Sequence, residues 1–281
     1  MPTLSVKSKN AKMNYENNPS NYQWEWCEEK GQPYLTCTLL KHWKHGFFTK
    51  EVHGRSPSEL AKIFNQEIES HQVKQVHGKT VLTPSQIQFT INDKGEKTLA
   101  EGDGIMSESE NQCLWVASAD CTPVLIADSQ TGRVGAIHAG WRGTAQKIVP
   151  HAISLFLNHG SKIENLLFAL GPAISGKVYQ VGKEVAIEVG KSIVTTAEIR
   201  EDVQLLQNLK EIPDSPVLED SEQDKVKLDV RRVISLQLES LGVTKEQIAI
   251  APYCTYQQTN YFFSYRRTGE RKIQWSGIVS N

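Results

Sequence analysis

Short apolar runs, many of them alternating with polar residues, recur along most of the chain and are divided by Gly, Pro and Asn-containing stretches. Two such segments, YQWEWC and PYLTCTLL, predict strands joined by a KGQ turn. HGFFTK follows. SPSELAKIFNQEIES predicts a helix, with Ser56 placed to cap it, Pro57 suited to the first helical position and Glu59 completing a capping box. VKQVHGKTVL is Val-rich and strand-like, interrupted at His77-Gly78. LAEGDGIMSE reads as a Gly-containing loop and CLWVASAD as an apolar strand. Residues 124–128, VLIAD, and 133–137, RVGAI, predict a hairpin closed by the four-residue turn SQTG.

Beyond the hairpin the period lengthens. In TAQKIVPHAISLFLNHG, Ala145, Ile148, Val149, Ala152, Ile153 and Phe156 follow helical spacing. Gly160 suits the C-terminal cap, and Pro150 is expected to kink or shorten the helix. NLLFALGPAI predicts a buried strand ending in a Gly-Pro turn, and VGKEVAIEVGKSI a helix. Residues 200–226 are acidic, contain two prolines and read mostly as loop. LDVRRVISLQLESLG predicts a helix between an Asp229 cap and a Gly242 terminator. QIAIAPYCTY and YFFSYRR are expected to be the last strands. Strands and helices mix without strict βαβ alternation, so the expected fold class is α+β, a single layered domain over residues 22–281 behind a flexible N-terminal tail, 1–21.

Charge and composition narrow the partners. With a formal net charge of -1 among 281 residues, the chain has no global basic field for nucleic acid or an anionic membrane. A local anion site needs only a few residues and stays open. No apolar run reaches transmembrane length, and the polar N-terminal stretch lacks a signal-peptide core. The five Cys are odd in number and show no CxxC spacing, which argues against a disulfide framework and for a reducing cytoplasm.

The hairpin brings chemistry together. If Asp128 faces Arg133, Val124 faces Ile137, and Cys121 and His138 meet at the open end within one diagonal step, roughly 7–8 Å. Asp120, Trp141 and Arg142 crowd the same end, and Pro123 and the Gly-flanked AGWRGT shape it. A Cys and a His so placed serve equally as core residues, as nucleophile and base, or as two of three ligands to a metal with an open fourth position. Of the other histidines, His77 is the best placed; the remaining six read as solvated or helix-surface residues. Arg142, at a helix start, suits a phosphate or carboxylate. Arg266 and Arg267 are further cations, and Tyr261, Phe262, Phe263 and Tyr265 offer purine stacking or core packing.

The ordered set KQVHG, GDG, ADCTPVLIAD, AIHAGWRGT, GPAI, YQVG, CTY and FFSYRR resembles the YfiH-like family, also called the laccase-domain or multicopper polyphenol oxidase family, from about His45 to the C-terminus. The resemblance implies a layered αββα core and one zinc per chain held by His77, Cys121 and His138. It implies phosphorolysis of adenosine, inosine and 5'-methylthioadenosine with phosphate as co-substrate, and adenosine deamination as a second activity, in a monomer or homodimer. Zinc with an open position lowers the pKa of bound water, which suits attack on C6 of adenine. Asp120 is the candidate proton carrier beside Cys121, and Arg142 and Arg266 are the candidates for substrate binding. A blue-copper laccase builds its trinuclear site from His-X-His pairs; this chain has eight His and no such pair.

The chain also departs from the family. The segment between HGFFT and QVHG is short, Gln180 stands where Glu is usual, and the tail fits the TGR ending loosely. Three other functions stay in play: a Cys-His hydrolase or deamidase with Cys121 as nucleophile and His138 as base, an amidase acting on peptidoglycan precursors at the same site, and a zinc-stabilised binding protein, which would require a fourth ligand.

Overall fold

Side-chain alternation along the central strands decides how the layers stack. In the strand Gln112–Ser118, Leu114 and Val116 point to one side and Cys113 and Trp115 to the other. In Thr122–Asp128, Leu125 and Ala127 face Leu114 and Val116, while Val124 and Ile126 face helices. Both strands are therefore buried on both faces, and each sheet needs a cover on its outer side. The helix Pro57–Phe64 covers one with Leu60, Ala61 and Phe64 packed on Phe48 and Trp115. The helices Ile148–Asn158 and Val230–Ser240 cover the other, through Ile148, Val149, Ile153, Phe156, Val233 and Leu238. The outcome is an α+β, αββα arrangement. This computed structural model describes residues 23–64, 68–91, 95, 97–194 and 202–281; the N-terminal segment 1–21 lies outside them.

Each main sheet has six strands. The first runs Trp24–Glu29, Gln32–Cys37, His45–Phe48, Gln274–Val279, Gln112–Ser118, Glu69–His71, and the second Ile248–Ile250, Leu166–Leu170, Thr122–Asp128, Val134–Ala139, Gly104–Met106, Val81–Leu82. A three-stranded sheet of Gln180–Gly182, Lys225–Leu228 and Val217–Glu219 flanks the helical layer. Among the described residues no helix is long and apolar enough to cross a membrane, and all five cysteines are free thiols.

The hairpin has the expected register: Val124 pairs with Ile137, Pro123 with His138 and Thr122 with Ala139. Ser56 and Glu59 exchange the two capping-box bonds, and Asp229 caps its helix through the Arg232 amide.

Other segments differ from the sequence reading. The described part of this helix spans Pro57–Phe64, residues 65–67 lie outside the described residues, and Glu69–His71, at the end of the predicted helix, instead joins the first sheet beside Gln112–Ser118, where strand pairing overrides the local helix propensity. LAEGDGIMSE is not all loop: Gly104–Met106 is a buried strand, and its glycine gives room to Ile137, whose Cδ1 would lie 2.6 Å from a Cβ at 104. In VKQVHGKTVL only Val81–Leu82 forms a strand. The helix after the hairpin breaks at Lys147, in left-handed backbone (φ 60°), while Pro150 falls in the first turn of Ile148–Asn158, where no amide is needed. Within 200–226 a helix spans Asp202–Glu211, because Leu205 and Leu209, one turn apart, are fully buried. YFFSYRR is not a strand: Ser264 caps a short turn, Tyr265–Thr268, and Gln274–Val279 is the last strand.

At the far end of the hairpin, the buried Asp128 carboxylate accepts from the Gln130 and Thr131 amides at 2.8 and 3.2 Å. Burial pushes this carboxyl up, but Ser161 and those amides outweigh it and hold it below the usual aspartate value. Its contribution to stability is thus present above the unfolded-state pKa and lost as pH falls through the lower folded-state one. Asp128→Ala is expected to cost ~1–3 kcal/mol in urea unfolding at neutral pH, because buried amides lose their acceptor. The difference from the wild type should shrink in acid; a pH-independent difference would rule this account out.

Candidate metal centre

Asp103 is fully buried, and its carboxylate organises one end of the second sheet. It accepts the amides of Val76, His77 and Gly78 at 3.2, 2.9 and 2.7 Å. Three successive N–H groups can converge only if the chain turns sharply, and His77 accordingly has left-handed backbone, φ 61°. The same carboxylate meets His138 Nδ1 at 2.9 Å, and the Asp103 carbonyl accepts the His138 amide at 2.7 Å. With Nδ1 occupied, His138 Nε2 is free to act as a ligand.

Cys121 enters from the open end of the hairpin. His77, Cys121 and His138 each offer one donor atom, and these atoms lie within 4.8 Å of one another. The imidazoles meet edge to face, with centroids 4.8 Å apart. Gly140 makes room for this approach: a Cβ there would stand 2.9 Å from Cys121 Sγ and 3.2 Å from His77 Cδ2. His138 is buried, Cys121 half-buried and His77 exposed, so the cluster opens to solvent on the His77 side. Two imidazoles and a thiolate, with one ring oriented by a carboxylate, suit zinc, and three protein donors match a site with an open position.

The electrostatics favour the thiolate form of Cys121, whereas His138 is biased toward its protonated form and would release that proton on ligating a metal. Burial pushes the Cys121 thiol up, but hydrogen bonds and charge from His138 and His77 outweigh it and bring it down to about 6. Burial pushes His138 down, whereas Asp103 and Cys121 together raise it to about 9. Asp103 is pushed up by burial, yet His138 and the Gly78 and His77 amides hold it below the usual aspartate value. The shifts of the two partners are complementary, a thiol biased toward thiolate beside an imidazole biased toward its protonated form, with the Asp103 carboxylate behind them.

The other sequence candidates lie around this centre in different roles. Asp120, in left-handed backbone at φ 88°, accepts the Thr255 hydroxyl on one carboxylate oxygen and the Arg266 amide on the other, both at 2.7 Å. Arg142 stacks on Trp141, with Cζ 4.3 Å from the ring centroid. Arg266 stacks on Tyr179 at 4.8 Å and donates to the Gln180 carbonyl. Arg267 instead donates to the carbonyls of Thr255, Tyr256 and Phe262 and is structural. The aromatic group divides: Phe262 is buried in the core between the sheets, Phe263 packs on His53 and Tyr265 is exposed. Among the remaining histidines, His45 is buried rather than solvated, and holds the Cys37 amide.

Two site residues escaped the sequence reading. Asp103 lies in the GDG motif, where its glycine neighbours suggested a loop. Tyr179 lies in YQVG; burial and the Cys121 charge push its phenol up to about 12, and it also feels Arg266, Asp120 and Arg142.

Residues 51–279 match the family described as multi-copper polyphenol oxidoreductase laccase. The chain is 48% identical over 257 residues to purine nucleoside phosphorylase slr1573 of Synechocystis sp., covering 92% of this chain and 97% of that protein. It is 28% identical over 177 residues to adenosine deaminase RL5 of an unknown prokaryotic organism, covering 63% and 61% of the two chains. In fold it is similar to YlmD of Geobacillus stearothermophilus, with a TM-score of 0.73 at 22% identity over 91% of this chain and 98% of that one. Sequence and fold together show that the chain belongs to the laccase-domain, YfiH-like family.

Proposed function

We propose that this protein is a zinc-dependent purine nucleoside phosphorylase acting on adenosine, inosine and 5'-methylthioadenosine, with adenosine deamination as a second reaction. The observation that carries the reading is the solvent-open His77, Cys121 and His138 cluster. It is supported by the relative named a phosphorylase that matches along nearly its whole length, and for deamination by the one named an adenosine deaminase. The copper oxidase chemistry in the family's description has no counterpart in His-X-His pairs here.

In phosphorolysis a phosphate oxygen bonds to C1' of the ribose as the C1'–N9 bond breaks. The electron pair leaves with the purine, which takes up a proton. In deamination, water adds at C6 and ammonia leaves. A zinc ion held by His77, Cys121 and His138 would supply Lewis-acid polarisation at its open position. Asp103 orients His138 and, through three amides, the loop bearing His77. Arg142 and Arg266 provide the positive charge for phosphate; among the described residues no ion pair occupies either guanidinium. With both carboxylate oxygens bonded, Asp120 serves better as the anchor of Cys121 and Arg266 than as a proton carrier. The catalytic unit is proposed to be a single domain over residues 22–281.

Elemental analysis of the purified protein should find a single zinc per chain, as a three-ligand site binds. Cys121→Ala should lose it together with phosphate-dependent release of purine base from adenosine or inosine. A variant that keeps its zinc would remove Cys121 from the ligand set, and a zinc-bearing wild type inert on nucleosides would defeat the reaction assigned. Asp103→Asn should keep the fold and weaken zinc binding by about 10–100-fold in chelator competition; unchanged affinity would contradict its orienting role.

The complementary shifts of Cys121 and His138 support a second reading, a Cys121 nucleophile with His138 as base. The two separate under a chelator. Turnover that survives complete zinc removal and stops on alkylation of Cys121 would establish the nucleophile, whereas turnover restored by added zinc would establish the metal.

A further inference from the structure

Arg266 is held far more firmly than an exposed arginine requires. Its amide is bonded to the Asp120 carboxylate, one edge of its guanidinium to the Gln180 carbonyl, and its face lies against the Tyr179 ring at 4.8 Å. Tyr179 is fixed in turn. Its amide donates to the Ser175 carbonyl at 3.1 Å, its carbonyl accepts the Leu228 amide at 3.0 Å, and its ring packs against the helical-layer core. Gln180 is tied down as well, because its side-chain amide reaches both Asp220 and Glu222 at 3.0 Å. This bracket leaves the other edge of the guanidinium free, with several N–H donors and no ion pair among the described residues. A surface cation needs no such support. A cation that must receive a tetrahedral anion in one orientation gains from it, since less rotamer freedom is lost on binding.

We propose that Tyr179 is a positioning residue that holds Arg266 as the receptor for inorganic phosphate beside the metal centre. This rests on the phosphorolysis reading, which requires a phosphate site within reach of the nucleoside. The ring face stacked on Arg266 is unavailable to a purine, so Tyr179 acts through the arginine. The flat ring is what matters, and the hydroxyl does not.

The test is titration of the purified full-length protein with inorganic phosphate by calorimetry, together with separate KM values for phosphate and nucleoside. Tyr179→Phe keeps the ring and should leave the phosphate Kd near that of the wild type. Tyr179→Leu should raise the phosphate Kd and KM about two- to fivefold, the worth of one exposed cation–π contact, with a smaller change in the nucleoside KM. Arg266→Lys keeps the charge and loses the planar stack, so it should weaken phosphate binding too. Adding Tyr179→Leu to it should then change little. Equal phosphate affinity in Tyr179→Leu and wild type, or additive losses in the double variant, would overturn the role of Tyr179 and leave the reaction standing. If Tyr179→Leu proves unstable, additivity is tested with Tyr179→Met, which also removes the ring. A wild type that binds phosphate but forms no sugar phosphate would defeat the reaction and leave the bracket intact; one that binds no phosphate would overturn the bracket's purpose.

Discussion

The buried Asp103 carboxylate is the constraint on which the centre depends. A charged group removed from water must be compensated by donors, and here one carboxylate collects three consecutive backbone amides and an imidazole. The amides bend the chain so that His77 faces the hairpin, and the imidazole bond selects the ring nitrogen that His138 turns toward Cys121. Two of the three side chains of the candidate metal cluster are therefore placed by one carboxylate that lies outside the cluster. The cost of leaving such a charge unpaired makes the arrangement cooperative: loosening either histidine exposes Asp103 to the same penalty.

Asp120 does for the third donor what Asp103 does for the first two. Its left-handed backbone turns the chain into Cys121, and its carboxylate joins that turn to Thr255 and to the start of the short helical turn carrying Arg266. The loop bearing Thr255 is itself held by the buried Arg231, which donates to the Ala251 and Tyr253 carbonyls. Cys121 and Arg266 thus share one rigid support. Gln180 is matched to its surroundings by charge. Its amide donates to Asp220 and Glu222, where a third carboxylate would add repulsion, while its backbone carbonyl still meets Arg266.

The site lies where small residues let backbones approach. Gly140 gives Cys121 and His77 their separation, and Gly143 leaves space for the Gly78 carbonyl, 2.9 Å from where its Cβ would stand. A methyl group at either position would push the ligand loops apart. The AGWRGT segment therefore serves the geometry of the cluster through its glycines and places the Arg142 guanidinium, stacked on Trp141, on the same short turn.

By itself, the sequence determined the hairpin and its register, because turn length and side-chain alternation are local. It therefore also determined that Cys121 and His138 meet. The capped helices at Ser56 and Asp229 were legible for the same reason, since caps are written within four residues. Only the tertiary structure decided where propensity yields to pairing. Gly104–Met106 is a strand because its neighbours bury it, Glu69–His71 leaves a helical run to complete a sheet, and Asp202–Glu211 is helical because two leucines find a core. The same holds for the contacts of Asp103 with Gly78 and His138 and of Tyr179 with Arg266, which join residues 25 to 87 positions apart along the chain. No local pattern encodes a contact at that distance; packing of the layers creates it.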